Sequence, residues 1–134
     1  MPFLAQIMGE SSVDLPTKEL VIVRVSQLNG CRYCLAAHRS IALDVGVPVE
    51  QVDALCDAAP LDALPPRERA IVAWVDQLAL DPKGVTDGLV ARTLDWIRDD
   101  QLIELTVLAG TITMLNQYCT AFDIPLPEEK GERS

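Results

Sequence analysis

The chain has 134 residues, 20 of them acidic and 11 basic, for a formal net charge of −9. That balance excludes a phosphate-backbone binder, because nothing forms a basic patch, and it repels an anionic membrane surface. With 49% hydrophobic and only 4% aromatic residues, the composition is that of one globular domain whose core rests on Ala, Leu, Val and Ile.

The N-terminal MPFLAQIMGE lacks a basic region, and its apolar stretch is too short for a signal peptide. No run reaches the roughly 20 apolar residues of a membrane span. The expectation is a cytoplasmic protein with no nucleic-acid or membrane partner. Residues 1–14 read as an arm whose Phe3, Leu4 and Ile7 dock on the body or on a neighbouring subunit. Asp14 and Thr17 are candidate caps around Pro16, which suits a first helical turn.

The segment ELVIVRVSQL, residues 19–28, admits two readings. Val21, Val23 and Val25 alternate as in a strand, and a strand leading into Cys-x-x-Cys and a helix is the thioredoxin arrangement. However, Leu20, Ile22 and Leu28 widen the apolar sector to that of a buried helix. No later segment offers partner strands, so the spacing predicts a helix.

Asn29-Gly30 ends that helix. A second helix runs from about Cys31 to Val45 and stops at Gly46, and Pro48 opens a third over 48–58 with Glu50 in its first turn. APLDALPP is a loop. Pro65 and Pro66 start a fourth helix over 66–80, with Ile71, Trp74, Val75 and Leu78 as its core stripe. After the turn DPKG, Thr86 or Asp87 caps a fifth helix reaching Ile97, and Asp99 or Asp100 caps a sixth ending near Phe122. The nearly uncharged LIELTVLAGTITML of that sixth helix is the best candidate for a buried central or oligomer-forming element. The expected fold is all-α, a single-domain bundle of about six helices over 1–134, with the 1–14 arm and the 124–134 tail peripheral.

The chemistry concentrates at Cys31, Cys34 and His38, with Glu19 one hydrophobic segment upstream. At about 100° per residue the two cysteines and the histidine fall within roughly 60° of one helix face. Counted outward from the Asn29-Gly30 turn, Glu19 lies as far back as His38 lies forward to within about two residues, roughly 3 Å of rise. A carboxylate can therefore stand beside the imidazole. A thiolate is favoured at a helix N-terminus, an imidazole one turn on can take its proton, and a second cysteine can resolve an oxidised first one.

The pattern Glu19, Cys31-x-x-Cys34 and His38, with NGCRYC around the first cysteine, resembles the alkylhydroperoxidase AhpD-like branch of the carboxymuconolactone decarboxylase family. The likeness extends to Gly46 and, more loosely, to DDQLIELTVLAGTITMLNQY. The resemblance implies an all-helical, homo-oligomeric protein, trimer or hexamer, that reduces hydroperoxides or the disulfide of a peroxiredoxin-type partner. By position it makes Cys34 the attacking cysteine, passing through a sulfenic acid. Cys31 becomes the proton-donating and resolving cysteine, and Glu19 and His38 the relay. Tyr33 departs from the pattern, standing where the best-known AhpD proteins carry a histidine; this bears on substrate and partner, not on the relay.

The leading reading is therefore a thiol-dependent oxidoreductase acting on a small-molecule peroxide or a disulfide, reset by a peroxiredoxin-type or dithiol partner. It needs no organic cofactor and no metal, since the sulfurs carry the electrons, and no Gly-rich nucleotide fingerprint is present. Two alternatives stand beside it: a lactone-processing decarboxylase using only His38 and Glu19, and a non-enzymatic redox or zinc sensor drawing ligands from Cys31, Cys34, His38 and Glu19. Tyr33 is assigned to a face away from the cysteines. Cys56 and Cys119 read as thiols without a role. Glu68, Trp74, Trp96, Glu104 and Asn116 read as structure.

Overall fold

The computed structural model describes residue 9 and residues 11–126, and among these described residues the regular structure is six α-helices and two single-turn 3₁₀ segments. Among the described residues there is no strand. The expected docking of Phe3, Leu4 and Ile7, and the end of the tail, lie outside the described residues. The helices are α1 (Leu15–Asn29), α2 (Arg32–Asp44), α3 (Val49–Leu55), α4 (Pro66–Leu80), α5 (Asp87–Leu94) and α6 (Asp99–Ala121).

Helix α1 is the element the others pack around, meeting α2, α3, α4 and α6. The Asp14 carboxylate accepts the Thr17 N–H at 2.8 Å, with Pro16 in the first turn where its missing N–H costs nothing. Every residue from Thr17 to Ser26 is buried, so Val21, Val23 and Val25 belong to a helix buried on all sides. They join Val52, Leu55, Ile71, Val72, Val75, Leu105, Leu108 and Ile112 in one core. Each such side chain contributes about 1.5–3 kcal/mol when fully buried.

The buried centre is thus α1 and not α6. Helix α6 buries Leu102, Leu105, Leu108, Ala109 and Ile112 but leaves Ile103, Val107, Met114 and Tyr118 exposed on its outer side. The nearly charge-free pattern comes from an inner stripe and an outer stripe on the same helix. Its N-cap also differs from expectation: Arg98 precedes the helix and donates its backbone N–H to Gln101 Oε1 at 3.0 Å. Asp99 and Asp100 occupy the first turn instead, where carboxylates oppose the helix dipole. Helix α3 stops at Leu55 and α5 at Leu94, each shorter than the apolar pattern predicts, because turns take up the residues that follow. No described helix is long and apolar enough to cross a membrane.

Candidate functional site

The site is built on the link between α1 and α2. Gly30 adopts a left-handed conformation, φ 66°, donating its N–H to Gln27 O at 3.2 Å while Cys31 donates to Ser26 O at 3.1 Å. This paired closure is the Schellman pattern, and a glycine makes the positive φ free of strain. Cys31 then serves at once as the N-cap of α2: its Sγ accepts the Cys34 N–H at 3.4 Å. One residue therefore joins two antiparallel helices and places its sulfur on the positive end of the second.

The two sulfurs lie 2.7 Å apart, as free thiols, and both residues are buried. One turn along α2, His38 Nδ1 lies 2.7 Å from Glu19 Oε2. The carboxylate side chain is 3% exposed and the ring 26%, so the acid orients the imidazole from inside while the ring's other edge reaches solvent. The structure thus brings together the expected pairs Cys31 with Cys34 and Glu19 with His38. Among the described residues no hydrogen bond joins the ring to either sulfur.

Two residues from α6 complete the arrangement, and sequence reasoning passed over both. Asn116 is buried; its Oδ1 accepts Asn29 Nδ2 at 3.0 Å and its Nδ2 donates to Ser26 Oγ at 3.2 Å. It fastens α6 to the α1–α2 turn. One turn on, Cys119 brings a third thiol, and the sulfurs of Cys31, Cys34 and Cys119 all lie within 4.8 Å of one another. This trio is a set that could hold a metal ion, in contrast to the expected ligand set that included His38 and Glu19. Tyr33, expected on another face, lines one pocket with Cys31 and Cys119. Cys56 is half-buried against the core beside Arg39 and stays outside the site.

The electrostatics of the thiols follow from burial. Burial pushes the Cys34 thiol well above its ordinary value and the neighbouring Cys31 adds to this, while a hydrogen bond from Asn116 opposes it. Burial also raises Cys119, partly offset by its contact with Cys34. Burial thus favours the neutral thiol form of Cys34, whose N–H and sulfur both meet the Cys31 sulfur that caps the helix. A base must remove its proton when it reacts.

The sequence profile of the Carboxymuconolactone decarboxylase family matches residues 1–77. The chain is 30% identical over 113 residues to the uncharacterized protein YdfG of Bacillus subtilis, covering 84% of this chain and 77% of that one. It is 38% identical over 71 residues to the alkyl hydroperoxide reductase AhpD of Mycobacteroides abscessus, covering 53% of this chain but only 35% of that relative. A solved structure from Agrobacterium tumefaciens, a protein of unknown function described as a candidate antioxidant defence protein AhpD, superposes with a TM-score of 0.83 at 22% identity. It covers 94% of this chain and 87% of its own, and its likeness is one of fold. With the family profile over more than half its length and a relative at 30% identity covered to 77%, the chain belongs to the carboxymuconolactone decarboxylase family.

Proposed function

We propose that this protein is a thiol peroxidase or disulfide reductase in which Cys34 attacks, Cys31 resolves, and Glu19 and His38 move the proton. The observation that carries the reading is the adjacency of two buried sulfurs, 2.7 Å apart, to a histidine held by a buried carboxylate one turn away. His38 swings from its resting position to take the Cys34 proton, and Glu19 supports the imidazolium that forms. The Cys34 thiolate attacks the terminal oxygen of a hydroperoxide; the O–O bond breaks, Cys34 becomes a sulfenic acid and the alkoxide leaves as an alcohol with the proton from His38. Cys31 then attacks the Cys34 sulfur, the S–S bond forms, and the hydroxyl departs as water with the Cys31 proton. A dithiol or a peroxiredoxin-type partner returns the two electrons. The proposed setting is cytoplasmic, where such reductants are maintained.

Trypsin cleaves after Arg32, Arg39 and Arg98 and so puts Cys31, Cys34 and Cys119 on separate peptides. One equivalent of hydroperoxide should remove two hydrogens and link the first two peptides. Cys34→Ser should lower turnover roughly a thousandfold or more, the scale of deleting a nucleophile. Full turnover in Cys34→Ser would end this reading.

We also propose a homo-oligomer, trimer or hexamer, resting on the exposed apolar side of α6 at Ile103, Val107, Met114 and Tyr118. Sedimentation of the full chain tests it, and a monomer at micromolar concentration would refute it. A zinc-binding sensor is favoured by one observation, the three clustered thiols. It requires stoichiometric zinc in protein purified without added metal, with loss of fold on chelation.

A further inference from the structure

A disulfide between Cys31 and Cys34 would be hard to reach from outside. Cys31 is 1% exposed and Cys34 is 7% exposed, yet thiol–disulfide exchange needs a sulfur that an incoming thiolate can approach. Among the described residues a pocket of about 100 Å³ opens next to the pair, between the start of α2 and the end of α6. Cys31 and Cys119 line it together with Gly30, Tyr33 and Ile124, and Cys34 does not. Cys119 is the half-buried member of the thiol trio.

We propose that Cys119 is a third redox thiol, which takes the disulfide from the buried pair and presents it in this pocket to a dithiol reductant. The proposal rests on the reading that Cys31 and Cys34 form a disulfide. In the exchange, Cys119 gives up its proton and attacks Cys31 Sγ. The Cys31–Cys34 bond breaks, a Cys31–Cys119 bond forms, and Cys34 leaves as a thiolate that takes up a proton. No outside oxidant or reductant is involved, because the two-electron oxidation stays within the three sulfurs. The dithiol then attacks Cys119 from the pocket, giving a mixed disulfide and freeing Cys31. Its second thiol closes its own disulfide and releases Cys119.

The separation of at most 4.8 Å among the sulfurs leaves a side-chain rotation and a small helix adjustment to reach a bond of about 2.05 Å. Asn116, one turn before Cys119 and bonded to Asn29 and Ser26, holds α6 in register with the α1–α2 turn. The third thiol is thus positioned by the same contacts that position the first two.

Two measurements on the full chain test this. Cys34→Ser, reduced and then treated with the thiol oxidant diamide, should lose two hydrogens with the Cys31 and Cys119 peptides linked. In the second, oxidised wild type and oxidised Cys119→Ser are reduced with dithiothreitol, and the variant should be reduced about tenfold more slowly. Cys119→Ala should behave as Cys119→Ser does, separating loss of the thiol from a misplaced hydroxyl. Cys34→Ser with Cys31 and Cys119 both left reduced, or equal reduction rates in wild type and both Cys119 variants, would overturn the proposal while leaving the 31–34 disulfide intact. A wild type that forms no 31–34 linkage with either oxidant would instead overturn the parent reading, and this proposal with it.

Discussion

Helix α1 buries a positive charge at Arg24 and a negative one at Glu19, and the protein treats the two differently. Arg24 is satisfied on three sides: Nε and Nη2 donate to Asp76 at 2.8 and 3.0 Å, and Nη1 donates to Leu55 O at 3.0 Å and to Asp57 at 2.9 Å. Its guanidinium is held charged, above all by Asp76. A planar fork with both edges occupied has one arrangement, and it clamps α1 to the end of α3 and to α4. Among the described residues Glu19 instead meets one ring, itself a quarter exposed and one turn from the thiols. Saturated contacts on one side suit a scaffold, and the single contact on the other suits the proton transfer proposed for Glu19 and His38.

If this division holds, damage to the two regions should separate into lost stability and lost chemistry. Arg24→Met should give the largest loss of stability. Breaking a buried pair by removing one partner costs about 3–5 kcal/mol, and we place this variant near about 3 kcal/mol because both carboxylates keep some solvent contact. Activity per folded molecule should stay near wild type. Asp57 sharpens the test: the Arg24 hydrogen bond holds its carboxyl below the ordinary value of 3.8. A depressed folded value means stability that is present above the unfolded value and lost as pH falls through the folded one. The gap between wild type and Arg24→Met in urea melts should therefore narrow below about pH 4. A gap that persists unchanged into strong acid would show the clamp to be packing and not charge.

On the other side, His38→Gln keeps a hydrogen-bonding side chain and removes the base. Its rate should fall about a hundredfold, within the range for general bases, equivalent to about 2.7 kcal/mol of barrier. The melting temperature should move by only a degree or two. Raising the pH should recover part of the lost rate, since Cys34, raised by burial, can then ionise without help. A large stability loss with unchanged turnover would reverse the assignment and make the Glu19–His38 pair another strut.

The two pairs on the reactive side were legible in the sequence because they are local. Spacing paired Cys31 with Cys34, and counting from the Asn29-Gly30 turn brought Glu19 opposite His38, as the two contacts bear out. Caps and prolines likewise located most helix starts. Cys119 and Asn116 were not legible. They lie more than eighty residues downstream, and their meeting with Ser26, Asn29 and Cys34 depends on how α6 rotates and slides against α1, which no short pattern encodes. The same reason hid the Arg24 clamp, whose acids come from two other elements. It also let apolar content point to α6 as a central or oligomer-forming helix: α6 is nearly uncharged but has an exposed side, whereas α1 carries Lys18, Glu19 and Arg24 and is buried from Thr17 to Ser26.

The smallest effect asks whether the two regions share a hinge. Asp14 caps α1 five residues before Glu19, as Arg24 clamps it five residues after. Burial raises the Asp14 carboxyl, but the hydrogen bonds to Thr17 prevail and hold it below its ordinary value of 3.8. The cap therefore acts above that value and is lost as pH falls through the folded one. Asp14→Ala should cost about 1 kcal/mol at neutral pH, and the difference should shrink in acid. Because Thr17 to Ser26 remain buried on all sides, fraying should stop within the first turn, before it reaches Glu19. Turnover and its pH profile should then match wild type. A shifted profile in Asp14→Ala would mean that the start of α1 transmits its order to the Glu19–His38 pair, and the scaffold and the reactive side could no longer be considered separately.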